Sequence, residues 1–330
     1  MTVLACDLGG TRMKIGVVRG GRVLAEAIEP SHSHLGLAPQ LPVLKATWQR
    51  LLTDLELTLA DCRGVTVAFP SLVDVARGRV LAETGKFDDA LTLDLRDWAR
   101  TELGLPLMIE NDARLALIGE WRAGAGQGCH NLVMITLGTG LGVCAVIEGR
   151  VLRGKHGQAG VQGGHLTVRC GGRQCYCGNV GCAEAEASTA FLRPLAEASS
   201  GWDRSSLRSA ATLDYARVFT DAAHGDACAI AVRDHSLLVW GALAVSLIHA
   251  YDPEILILGG GIMASADVIL PAITDYVNRH ADTPWGKVRV VPSALGDQAA
   301  LVAGEWALRE QLDVPVTAPN WSSSFDPAGP

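Results

Sequence analysis

At 330 residues the chain is long enough for two domains of ordinary size, and its make-up, 48% hydrophobic and 19% charged with 37 glycines, is that of a globular protein rich in tight turns. A formal net charge of −7, with no visible basic run, excludes a general electrostatic attraction to nucleic acid or to an anionic membrane. The start, MTVLACDLGGTRMKIG, lacks the basic segment and long apolar core of a signal peptide.

Taken in chain order, strands are expected over residues 3–7, 14–18, 23–27, 65–69 and 107–110, with helices over 45–60 and 94–103. A second set follows, with strands over 132–137 and 142–147, helices over 183–196 and 226–250, a strand over 255–258, a helix over 266–279, a strand over 288–291 and a helix over 297–312. The apolar stretch 240–258 is interrupted by His249, Asp252, Pro253 and Glu254, so it reads as a buried helix and a buried strand and not as a membrane span. Alternation of this kind marks an α/β protein. The end, DVPVTAPNWSSSFDPAGP over 313–330, is rich in Pro and Ser and reads as a flexible tail.

An internal echo organises these elements. A strand runs into DLGGT and a second strand near the start, and a strand runs into LGTGLG and a second strand near the middle. Asp7, Gly9, Gly10 and Thr11 place backbone N–H groups and a hydroxyl in a tight turn of the kind that cradles phosphate oxygens, and Asp7 is suited to hold magnesium through water. Gly138, Thr139, Gly140 and Gly142 repeat that chemistry. One such loop is an ordinary turn as often as not; two in corresponding places read as a phosphate clamp shared by two related halves. Neither fits the Walker pattern or the dinucleotide fingerprint. A third cluster, Gly259 to Gly261, sits between a buried strand and a helix, where it suits the nucleoside end of the same ligand.

Glu110, Asn111 and Asp112 close one strand and open a helix. A carboxylate there, beside an amide, can position a hydroxyl and accept its proton; the competing reading is a plain helix cap. His165, Cys175, Cys177 and Cys182 supply one nitrogen and three sulfurs within a short Gly-rich segment, which is the donor set of a closed, structural zinc site. Cys6, Cys62, Cys129, Cys144, Cys170 and Cys228 read as buried or free thiols, which suits a reducing cytoplasm.

The succession DLGGT, ENDA, LGTGLG, GGH, CYCGNVGC, AEAEAS and LGGG resembles the ROK sugar kinases, a branch of the actin- and hexokinase-type ATPase fold. The resemblance implies two ribonuclease-H-like domains around a central cleft, residues 1–117 and 118–312, with the last helix, 297–312, returning to the first domain. It implies ATP with magnesium as donor and a hexose or hexose derivative as acceptor, phosphorylated at O6. It makes Asp112 the general base, with Asn111, Gln162, His165 and Glu184 around the sugar, and gives Gly260 and Gly261 to the adenosine. His165 would serve twice, one ring nitrogen on zinc and the other fixed as a donor toward a hydroxyl. A homodimer is implied too.

Several positions depart from the family pattern. Gln162 stands where a Glu is usual three residues before the zinc His, Ser71 follows Pro70 in place of a glycine, Gly85 and Lys86 fall near the usual sugar-facing Asn, and Val143 and Cys144 replace further glycines. All but the last pair concern the acceptor pocket, and Lys86 raises an acidic or modified sugar, or else a solvated lysine. Rival readings are a catalytically idle sugar-binding protein of the same fold and a kinase using polyphosphate. Repressor relatives carry a helix-turn-helix domain ahead of the first glycine motif, for which a DLGGT starting at Asp7 leaves no room.

Overall fold

A computed structural model of the chain describes residues 1–313, so the tail expected over 313–330 lies, apart from Asp313, outside the described residues. The first half comprises β1 (Thr2–Leu8), β2 (Arg12–Arg19), β3 (Arg22–Pro30), α1 (Leu41–Asp54), β4 (Cys62–Phe69), a short hairpin of β5 (Val73–Asp74) and β6 (Arg79–Val80), α2 (Leu95–Leu103), β7 (Leu107–Asn111) and α3 (Asp112–Ala123). The second comprises β8 (Leu132–Leu137), β9 (Leu141–Ile147), β10 (Arg150–Val151), α4 (Ala183–Ala187), α5 (Leu192–Glu197), α6 (Tyr215–Ala223), α7 (Ala227–Tyr251), β11 (Ile255–Gly259), α8 (Ala266–His280), β12 (Arg289–Pro292) and α9 (Ala299–Asp313).

The echo in the sequence is an echo in topology. One sheet has the order β3-β2-β1-β4-β7 and the other β10-β9-β8-β11-β12, so each glycine loop joins the same pair of strands in its own half. In both, the three hairpin strands are antiparallel and the next two run parallel to the central one. The parallel strands need helical crossovers that cover both faces, which is why β1, β4 and β7 are almost continuously buried. Register then levels the strand ends: Asp7 pairs with Ala68, and Ala68 with Glu110. Asp7, Asn111 and Asp112 therefore leave the first sheet at one edge.

The second half is built around α7, whose length and apolar character would suit a membrane span but whose Val232, Val239, Trp240, Leu243 and Leu247 are core residues. The Trp240 indole N–H donates to the Ala187 carbonyl at 2.9 Å. The last helix, α9, lies on the first sheet: Ala300, Ala303, Ala307 and Leu308 cluster with Val3, Ala68 and Met108. It crosses α3 at Gly119, where any side chain would strike the Ala299 carbonyl.

Three helices differ from expectation. The helix expected over 45–60 is α1, which starts at Leu41 and stops at Asp54, because Glu56 turns left-handed (φ 55°) and the Thr58–Asp61 capping box opens a separate turn. The helix expected over 183–196 breaks at Ser188, which is extended, because the following N–H groups of Thr189 and Ala190 bond the Gly138 and Thr139 carbonyls at 3.1 and 3.0 Å. Helix α6 was not foreseen; Asp214 caps it by accepting from the Arg217 N–H at 2.8 Å.

Candidate active site

Of the two residues, Asn111 takes the helix-cap role and Asp112 is left outside it. Asn111 is the cap of α3, its Oδ1 accepting from the Arg114 N–H at 3.1 Å, while its amide donates to the Ser71 carbonyl at 3.2 Å and to Asp112 Oδ1 at 3.0 Å. The Ala113 N–H donates to the same Asp112 oxygen at 2.7 Å, so one carboxylate oxygen is fixed by the helix start. Burial pushes the Asp112 carboxyl up to about 6, with the charge of Asp7 adding to it; the Ala113 N–H and Lys86 hold it down. A carboxylate so placed is mostly ionised at neutral pH yet basic enough to take a proton.

The first glycine loop closes with the Gly9 N–H donating to the Arg12 carbonyl at 3.0 Å. A Cβ on Gly9 would lie 2.7 Å from that oxygen, so only glycine fits. The Ser31 and Ser33 hydroxyls donate to the Gly10 carbonyl at 2.6 and 2.7 Å, and Thr11 is exposed at the tip. Burial raises the Asp7 carboxyl, and Lys14, 3.8 Å away, opposes this.

The second loop is braced from behind. The Leu141 N–H donates to Glu184 Oε2 at 2.8 Å, and Gly138 and Thr139 accept from the broken helix as described, leaving Thr139 exposed. A Cβ on Gly142 would lie 2.8 Å from the Ala113 methyl, so this hairpin abuts the start of α3 and stands beside Asp112. Gly260, with φ 89°, sits against the Leu137 backbone, which brings the third glycine cluster to the second loop; a Cβ on Gly261 would meet nothing within 4 Å. Of the three loops expected to bind one nucleotide, the first two thus flank Asp112 and the third adjoins the second.

His165, Cys175, Cys177 and Cys182 offer ligand atoms that all lie within 4.8 Å of one another. Cys175 Sγ is 3.6 Å from His165 Nδ1, and Cys177 Sγ is 3.7 Å from Cys182 Sγ. With zinc bonds of about 2.3 Å to sulfur and about 2.0 Å to nitrogen, the sulfur–sulfur and sulfur–nitrogen edges of a tetrahedron are about 3.8 and about 3.5 Å. The donors fit that metal. Nδ1 faces the sulfurs, so Nε2 points the other way and lies 3.9 Å from Glu184 Oε1, which also accepts from the Tyr176 hydroxyl. Glu186, fully buried, accepts from the Arg173 N–H at 2.6 Å and stands 3.3 Å from the His235 ring. The two carboxylates of AEAEAS therefore hold the ligand loop from two sides.

Gln162 is exposed on the 3-10 turn Val161–His165 and forms no hydrogen bond among the described residues. That turn packs against β9 so closely that any side chain on Gly164 would strike the Leu141 carbonyl. Sequence reasoning missed Lys14 and Asp297. Lys14 pairs with Asp297 at 3.2 Å, as does Arg12 at 2.7 Å, joining the first loop to the approach to α9. Hairpin register could have found Lys14, since Asp7 stands opposite it. It missed as well that buried Glu110 binds Arg114 at 2.8 Å and Arg153, and that Arg114 donates to the Gly157 carbonyl at 2.8 Å.

Residues 3–311 match the ROK family. A glucokinase of Halalkalibacterium halodurans is 30% identical over 324 residues, covering 92% of this chain and 94% of its own. Among solved structures, a ROK hexokinase from Thermus thermophilus superposes with a TM-score of 0.76 at 29% identity, covering 95% of this chain and 100% of its own. A ROK family glucokinase from Streptomyces griseus, in complex with glucose and AMPPNP, gives 0.74 at 27% identity, covering 94% and 100%. The fold is therefore the two-domain hexokinase-type ATPase fold.

Proposed function

The chain belongs to the ROK family and is a sugar kinase, and from that premise we propose that it transfers the γ-phosphoryl group of ATP to O6 of glucose or a related hexose, with Asp112 as general base. The observation that carries this reading is the position of Asp112, a carboxylate of raised basicity set between the Asp7 to Thr11 loop and the Gly138 to Gly142 loop. Asn111 and the Ala113 N–H hold the carboxylate; the hydroxyl oxygen attacks the γ-phosphorus, its proton passes to Asp112, and the bond from phosphorus to the ADP oxygen breaks. N–H groups of the two glycine loops receive the phosphate oxygens, and Gly260 and Gly261 receive the nucleoside. Closure of residues 1–117 on 118–312 excludes water; the two separate sheets support that division, as does the packing of α9 on the first.

Magnesium, for which Asp7 is the suited carboxylate, supplies charge neutralisation on the β and γ phosphates when bound. Zinc on His165, Cys175, Cys177 and Cys182 supplies rigidity, and it leaves His165 Nε2 as a fixed donor beside Glu184 for the sugar, with Gln162 on the same turn. Nine cysteines with no disulfide among them suit a cytoplasmic enzyme, and the family resemblance favours a homodimer. The test is Asp112→Asn, assayed by coupled ADP release over a panel of neutral, amino and acidic hexoses. Turnover should vanish while hexose binding persists; activity within about tenfold of wild type would remove Asp112 from its role.

A further inference from the structure

We propose that Lys86 is a catalytic residue whose ammonium is presented to the phosphoryl group in flight between the nucleotide and the Asp112-bound hydroxyl, a role that rests on the kinase reading above. The lysine stem covers the first phosphate loop: its Cε, Cδ and Nζ lie 2.9, 3.2 and 3.5 Å from where a Cβ on Gly10 would stand. On its other side it is near enough to Asp112 for its charge to lower that carboxyl. A single cation thus lies between the loop that receives phosphate and the base that receives the proton.

Lys86 contrasts with the cations near it. Arg12 and Lys14 are both paired with Asp297, whereas Lys86 forms no hydrogen bond and no ion pair among the described residues. The residue is half-buried, so its charge is incompletely hydrated and acts on an approaching anion more strongly than a surface lysine would. The backbone on both sides is fixed. Before it, the Thr84 and Gly85 N–H groups donate to Asp88 Oδ1 at 3.2 and 3.1 Å. After it, Phe87 is buried in a left-handed conformation (φ 53°), its ring against Phe69, and its N–H donates to the Ser33 carbonyl at 2.9 Å. Ser33 in turn binds the Gly10 carbonyl, so the segment that carries Lys86 and the loop it covers are one hydrogen-bonded unit.

The chemistry asks for such a group. In phosphoryl transfer negative charge spreads over the equatorial oxygens of a loose, metaphosphate-like transition state, and a preorganised cation there stabilises it more than either ground state. An ammonium on a flexible stem can follow the phosphorus along the transfer path, where a planar, forked guanidinium would be fitted to one position. The orientation over Gly10 favours this role over recognition of an acidic group on the sugar.

The test compares wild type, Lys86→Met and Lys86→Arg, with ATP and glucose or whichever neutral hexose wild type prefers. Expected for Lys86→Met is a fall in kcat of about a hundredfold, with KM for the hexose within about threefold and an unaltered thermal melt. Lys86→Arg should recover at least about tenfold of the loss. The acid limb of the kcat/KM profile should move to higher pH in Lys86→Met, because the cation that lowers Asp112 is gone. A kcat within about threefold of wild type overturns the proposal, as does a loss confined to acidic hexoses, which would make Lys86 an acceptor-reading residue. A wild-type protein that releases no ADP with any hexose overturns the kinase reading itself, and this proposal with it.

Discussion

Glu184 accepts the backbone N–H of Leu141 at 2.8 Å, and through that bond the helix that follows the Cys/His cluster holds the second glycine loop. The carboxylate is nearly fully buried and its other oxygen takes the Tyr176 hydroxyl. Glu184→Ala leaves a buried N–H unpaired at the loop, a loss of about 1.5–3 kcal/mol. The expected outcome is a ten- to hundredfold fall in kcat/KM for ATP as well as for the sugar, whereas a residue that touched the sugar alone would spare the ATP term. Initial rates with each substrate varied in turn decide between them.

The raised basicity of Asp112 sets a pH dependence of both rate and stability. As general base it must be ionised, so kcat/KM should fall as pH drops through about 6. Stability runs the other way. The folded carboxyl binds its proton more tightly than the unfolded one, whose value is near 3.8, so stability is lost as pH rises through that window and stays lost above it. Asp112→Asn removes an ionised buried group and should melt at the same or a higher temperature than wild type at pH 7.5, with equality emerging near pH 4, while being inactive. A variant that melts well below wild type at pH 7.5 would contradict the burial argument.

The sequence displays most clearly what local spacing determines. Two glycine hairpins in corresponding places announced two sheets of one topology, and His165, Cys175, Cys177 and Cys182 lie close in the chain as well as in space. What spacing does not carry is pairing across the fold. Lys14 meets Asp297 across 283 positions, and no periodicity marks that contact. Helix propensity over 183–196 is overridden at Ser188 because the N–H groups beyond it are needed by Gly138 and Thr139. Lys86 was legible only as a choice between solvent and an acidic ligand; its place over Gly10 follows from the buried Phe87 beside it.

For the metal, elemental analysis of protein purified without chelator should find about one zinc per chain. Cys177 is the exposed thiol of the cluster, so Cys177→Ser disturbs the core least. It should lose the zinc and raise KM for the hexose by about tenfold or more, through release of His165, with a smaller rise for ATP. Protein that carries no zinc and retains wild-type KM would remove the metal from the site.

The last relationship lies behind Asp112. Glu110 is wholly buried, the Arg114 side chain beside it is 1% exposed, and the pair is completed by Arg153 and by the Gly157 carbonyl from the segment that leads to Gln162. Two cations share one carboxylate that is itself wholly buried, with Arg153 reaching it from the solvent side, so removing a member leaves buried charge less well compensated. Arg114→Met leaves Glu110 with Arg153 as its one cation and frees the 153–160 segment, at a cost of up to about 3–5 kcal/mol. Glu110→Gln strands two arginines, one of which, Arg153, is a third exposed and can turn to solvent, so its cost should be smaller. Because Asn111 follows Glu110 directly and donates its N–H to the Glu110 carboxylate at 2.9 Å, both variants should also lower kcat. Chemical denaturation with activity measured on the folded fraction separates the two effects, and equal melting of Arg114→Met and wild type would show that the cluster does not hold the halves together.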